Sequence, residues 1–104
     1  MRKSLAYEID GSIMKICIYR KLTPTLINDL TITCGMFIGE FCIKTLIIDS
    51  FPEYISADSG INLMYLLYQH MCSKSGHMIL FDRSKQVSHF LNSNGNAVLE
   101  QIIS

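Results

Sequence analysis

Two short β-branched runs flanking one helical stretch restrict this chain's topology more than any other feature. "IKTLIIDS" (Ile43 to Ser50) is dense in Ile, Leu and Thr and is ended by polar residues and Pro52. "HMILFD" (His77 to Asp82) is a second such run. Each has the length and content of a strand buried in the centre of a sheet. From Ser59 onward Ile61, Met64-Tyr65, Tyr68 and Met71-Cys72 recur at helical spacing, and Leu63, Leu66-Leu67 and His70 broaden that face. A strand, a helix and a second strand in direct succession predict a crossover joining parallel neighbours, with the helix packed on the sheet.

The flanking segments extend this pattern. "LAYEID" (Leu5 to Asp10) and "SIMKICIY" (Ser12 to Tyr19) are separated by Gly11 and read as a hairpin. Thr23-Pro24 opens a helix, since Thr is a good N-cap and Pro is favoured at the first helical position. Leu26, Leu30, Thr33-Cys34 and Phe37 then keep helical spacing to about Gly39. Gly76 in "SKSGH" is the expected stop of the helix that starts at Ser59. "RSKQVSHFLNSNG" predicts a third helix, capped by Ser84, carrying Val87, Phe90 and Leu91, and stopping at Asn94-Gly95. "NAVLEQIIS" predicts a last strand. The expected order is β-β-α-β-α-β-α-β, an α/β fold with helices packed against a mixed sheet, and residues 1–104 form one domain.

Charge narrows the function. Nine basic and nine acidic residues cancel, and no basic cluster with interleaved aromatics is present. That composition argues against a nucleic-acid partner or an anionic membrane surface, which need an excess of Lys and Arg. The N-terminal "MRKSLAYEID" has no apolar segment behind its charges, so no secretory signal is expected. The longest uncharged run, Ser59 to Ser73, has 15 residues and contains Asn62, Gln69 and His70. A bilayer span needs roughly 20 apolar residues, so no membrane insertion is expected. The four cysteines (Cys17, Cys34, Cys42, Cys72) lack a CxxC spacing and stand in apolar surroundings, as reduced core thiols of a cytoplasmic protein do.

Catalytic and metal readings find little. His70, His77 and His89 share no metal-ligand spacing, so no metal or cofactor is expected. The carboxylates Asp49, Glu53 and Asp58 make no acid/base pair. Ser59 with a histidine is not a triad, because no G-x-S-x-G elbow is present. No catalytic residue can be named, and the chain reads as a non-enzyme. "SADSGI" (Ser56 to Ile61) is more informative. A strand, a loop and Ser-Gly at a helix start place a hydroxyl where N–H groups and the helix dipole favour negative charge. The plainer alternative is that Asp58 or Ser59 is simply the N-cap.

Taken together, "KLTPTLINDL", "LIIDSFPEYISADSGI" and "SGHMILFDRSKQVSHFLNSNG" resemble the STAS domain of bacterial anti-sigma factor antagonists. In that family an Asp or Asn ends the strand and an Asp-Ser-Ser-Gly-Leu-type motif follows; Asp49 and Ser59-Gly60 stand at that separation. The resemblance implies phosphorylation of Ser59 by a partner that is both anti-sigma factor and serine kinase, release on phosphorylation, and resetting by a phosphatase. It also implies a docking surface near Thr23, Asp49, Asp58, Gly60 and Asn62, with Gly60 allowing a partner's backbone to approach. Ala57 replaces the motif's usual Asp, Asp58 its usual Ser or Thr, and Thr23 an Asp common before the first helix. The family's C-terminal helix has no counterpart before Ser104, and apolar surface left bare by that loss favours a homodimer or a permanent partner. A second reading keeps the docking surface without a phosphorylation cycle, as in the STAS subunit of a lipid-transport ABC system or a stressosome-like assembly.

Overall fold

The computed structural model describes residues 3–83 in full and the backbone of Val87–Leu91. Its elements are β1 (Leu5–Asp10), β2 (Ile13–Ile18), α1 (Pro24–Glu40), β3 (Thr45–Ser50), α2 (Asp58–Ser73), β4 (His77–Asp82) and β5 (Val87–Leu91), with one 3-10 turn at Pro52–Tyr54. They make one mixed sheet in the order β1-β2-β3-β4-β5 with two helices, a small α/β fold. β1 and β2 are antiparallel, β2, β3 and β4 are parallel, and β5 is antiparallel to β4. The β1–β2 hairpin closes where Asp10 faces Ile13, with Gly11 at φ +60, a conformation that suits a residue without Cβ.

The predicted third helix is corrected. Val87–Leu91 is a strand whose residues pair with Met78 to Asp82. The unpaired edge of β4 offers a row of backbone donors and acceptors, and "VSHFL" alternates as well as it keeps helical spacing. Tertiary pairing decided between them. The predicted last strand, Asn96 to Ser104, lies outside the described residues.

The strand order steps in one direction from β2 to β4, so two crossovers of the same hand set both helices on one face. Met14, Ile16 and Ile18 of β2, Leu46 and Ile48 of β3, and Met78 and Leu80 of β4 point there. They form a single core with Leu30, Cys34 and Ile38 of α1 and Leu63, Leu67 and Met71 of α2. β3 and β4 are central as predicted, but the described elements bury them on this face alone. Ile47, Ile79 and Phe81 on the other face stay partly exposed.

Both helices end in the same motif without glycine at its left-handed position. Cys42 (φ 52) and Ser75 (φ 56) take that conformation. The N–H of Ile43 then donates to the Ile38 carbonyl at 3.2 Å, and that of Gly76 to Met71 at 2.8 Å. Gly76 therefore follows the stop instead of making it; an added Cβ would sit 2.6 Å from the Lys44 carbonyl oxygen.

The cysteines divide. Cys17 and Cys34 are buried, Cys72 is half-buried, and Cys42 is exposed, contrary to a wholly buried set. Burial pushes the Cys34 thiol up to about 12, which keeps it protonated and poorly nucleophilic at neutral pH.

Candidate functional site

The two helix N-termini lie at one edge of the sheet, beyond the C-terminal ends of the parallel strands. A hydrogen bond from the Leu22 N–H to the Tyr54 carbonyl, 3.0 Å, ties the approach to α1 to the turn before α2. This edge collects Thr23, Asp58, Gly60 and Asn62, four of the five residues expected at a docking surface, together with Ser59, the expected phosphorylation site.

Their roles differ. Thr23 is the N-cap of α1; its hydroxyl accepts from the Leu26 N–H at 3.3 Å, and Pro24 follows it. Its oxygen already serves its own helix. The N-cap of α2 is Ala57, with no side-chain capping hydrogen bond. The expectation that Asp58 or Ser59 caps α2 is thereby corrected, since both lie inside the helix as its first two residues. Asp58, Ser59 and Asn62 are exposed. The Ala57 carbonyl already accepts from the Ile61 N–H at 2.9 Å, so the helical ladder starts there.

Gly60 serves a different purpose from the one expected. It is buried, and an added Cβ would lie 2.7 Å from the Ile55 carbonyl oxygen. Its missing side chain lets the Pro52–Tyr54 turn and Ile55 press against the first turn of α2. The approach that Gly60 permits is made by this chain's own backbone.

Asp49 stands apart. By the pleat its side chain points to the sheet face opposite the helices, beside Ile47, whereas Ile48 and Ser50 point toward α2. Its carboxylate accepts from Arg83 Nε at 3.0 Å and lies 3.7 Å from Lys15 Nζ, while its carbonyl accepts from the second Arg83 nitrogen at 2.7 Å. The Asp49 side chain is 16% exposed.

Arg83 is the residue that sequence reading missed. Its guanidinium also lies 5.1 Å from the Tyr19 ring and 5.4 Å from the Phe51 ring. Its N–H donates to the Ser50 carbonyl at 3.0 Å. One side chain thus fastens the chain where it leaves β2, β3 and β4, and so fixes the loop leading to α2. No local signal marks it, because Asp49 and Arg83 are 34 positions apart.

The arrangement offers a hydroxyl on a helix N-terminus that no side chain of its own closes. Backbone donors there, with the helix dipole, favour an oxyanion on Ser59. Among the described residues no group of three or more His, Cys, Asp or Glu converges as metal ligands do, and no helix is long and apolar enough to cross a membrane. No protein-family model matches this chain, and neither curated proteins nor solved structures give a match.

Proposed function

We propose that this protein is a non-catalytic partner-switching regulator, resembling a STAS-type anti-sigma factor antagonist, whose switch is phosphorylation of Ser59. The partner is an anti-sigma factor that is also a serine kinase, with a phosphatase to reset the cycle, and the protein works in the cytoplasm. The observation that supports this reading best is the start of α2, where Ser59 is exposed at the second helical position and the N-cap residue, Ala57, makes no side-chain capping hydrogen bond. A phosphoryl group adds about −1.5 to −2 charge, which a helix N-terminus accommodates and which an acidic or apolar partner surface rejects. Asp58 and Asn62 flank Ser59 on the same exposed side, and Thr23 lies on the neighbouring helix start. Gly60 and Asp49 support the surface from behind, one through the packing of the Ile55 turn and the other through Arg83.

The alternative, a docking subunit of a lipid-transport ABC system or stressosome-like assembly, uses the same edge without modification. The deciding experiment purifies wild-type, Ser59→Ala and Ser59→Asp protein from native cells and measures the intact mass and partners of each. The switch reading expects one phosphate on wild type, none on Ser59→Ala, and a kinase-like ATPase held by Ser59→Ala but lost by Ser59→Asp. The same partner on all three with no phosphate would leave the docking reading standing and end the switch.

A further inference from the structure

A second surface lies on the face of the sheet opposite the helices. Lys15 of β2, Ile47 and Asp49 of β3, and Ile79 and Phe81 of β4 point there by the pleat and line a hollow of about 230 Å³. Adjacent parallel strands are ordinarily covered on both faces, yet among the described elements both helices pack on the other one. The register sets Lys15 beside Ile47, Ile47 beside Ile79, and Asp49 beside Phe81. The floor is therefore apolar along β4 and charged toward β2.

Charge selects the ligand. Two cations, Lys15 and Arg83, stand around one carboxylate, Asp49. Arg83 Nε donates to Asp49 Oδ1 at 3.0 Å, and both side chains are mostly covered, so that pair is closed within the fold. Lys15 Nζ lies 3.7 Å from Asp49 Oδ2, longer than a hydrogen bond, and its side chain is 40% exposed. The three donors of its ammonium are open to a ligand. Glu8, opposite Lys15 on β1, stands on the far side of it from the hollow. Asp49 limits the ligand's charge, because a dianion on Lys15 would face that carboxylate with twice the repulsion of a monoanion.

Size selects it further. A stable protein partner needs roughly 800 Å² on each side, far more than this hollow provides. About 230 Å³ falls just below the usual range of small-molecule pockets, roughly 300–1,000 Å³, and suits one ring or one branched chain. β2 and β4 lie two strand spacings apart, roughly 10 Å, which a ring with a short carboxylate arm spans.

We infer that this hollow binds a small apolar monocarboxylate, its ring or branched chain on Ile47, Ile79 and Phe81 and its carboxylate on Lys15 Nζ. The polar contact is a charge-assisted hydrogen bond beside an apolar floor, where it is stronger than in open water. It does not rest on phosphorylation of Ser59, and either proposal survives the failure of the other.

The test uses the full chain, ¹⁵N-labelled, titrated with phenylacetate and with phenylacetamide, its uncharged isostere, at ~0.05 M salt. Phenylacetate is expected to shift the amide signals of Lys15, Ile47 and Ile79 with a Kd of about 1 mM, and to bind roughly fivefold or more tightly than the amide. Lys15→Gln, at a partly exposed side chain, should erase that preference and leave phenylacetamide binding unchanged. Lys15→Arg, which keeps the charge, should retain the preference. Absence of shifts at about 20 mM phenylacetate, equal binding of acid and amide, or an unchanged preference in Lys15→Gln would overturn the inference. Shifts of Ile47 and Ile79 on dilution of the free protein would overturn it by making a second copy the occupant. Tighter phenylacetate binding by Glu100→Gln would do so too, by assigning the hollow to a carboxylate of this chain.

Discussion

Thr23 and Ala57 occupy the same position before two helices of similar length at one edge of one sheet, and only Thr23 closes its helix. At α1 a hydroxyl accepts a backbone N–H and Pro24 removes another donor, so the helix start is complete within the chain. At α2 a methyl group stands at the cap, and Asp58 and Ser59 follow within the helix. What compensates is on the inner side, where Gly60 lets the Ile55 carbonyl lie against the first turn. α2 is thus positioned by backbone packing from beneath, and its N-cap residue offers its outer donors no side-chain acceptor. Position and capping are separate tasks, and α2 assigns them to different groups.

The largest expected effect tests the packing. Gly60→Ala puts a Cβ within 2.7 Å of backbone, which neither side can easily yield, so the first turn of α2 must move. Overpacking of this kind costs about 1–3 kcal/mol, and a urea titration of the variant against wild type measures it. A loss near zero would mean that the Ile55 turn does not hold α2, and the contrast between the two helix starts would collapse. A smaller effect is expected at the caps. Thr23→Ala should lose about 1 kcal/mol, whereas Ala57→Ser should gain about 0.5–1 kcal/mol by supplying the hydroxyl that α2 lacks. Opposite signs in the same denaturation experiment sharpen the comparison; equal signs break it.

Much of the framework was legible in the chain because the deciding signals are local. Gly11 between two strand-like runs, Thr23-Pro24 before a periodic segment, and the β-branched runs at 43–50 and 77–82 each carry their own stereochemistry. The candidate site was legible in part. Ser59's position near a helix start follows from spacing, but its place relative to the cap does not, because Asp and Ser are both strong capping residues and either spelling fits. Gly60's inward contact depends on where Ile55 lies, and Asp49's engagement on Arg83, 34 positions away. No window of sequence holds both partners. The segment from Val87 failed for a related reason, since five residues satisfy two periodicities and only the free edge of β4 chooses between them.

Alkaline pH offers a weaker test of the same division, applied to α1's inner face. Cys34 is held neutral by burial, with its pKa raised to about 12 from 9.0. A raised folded-state value means that this contribution is intact below the unfolded pKa and declines as pH rises from there through the folded value. Stability should therefore fall between about pH 9 and 12, and Cys34→Ala should flatten that part of the profile relative to wild type while lowering stability throughout. A profile unchanged by the substitution would show that the thiol stays hydrated, and that α1 is packed less tightly than its capped start implies.

Ser59 gives the smallest effect on stability and the clearest reading of it. Inside the helix and exposed, it makes no capping bond for the fold to lose, so Ser59→Ala should change stability by less than about 0.5 kcal/mol. Ser59→Asp places a charge on the uncapped N-terminus and should stabilise by about 0.3–1 kcal/mol at low salt, with the gain shrinking as salt is added. If Ser59→Ala instead loses as much as Thr23→Ala, the hydroxyl is a structural cap and the outer donors of α2 are not available. If the expected signs hold, a phosphate at Ser59 is tolerated or favoured by the free protein. Any release it causes then arises at the partner's surface, because local unfolding of α2 would require the charge to destabilise the helix end that the dipole favours.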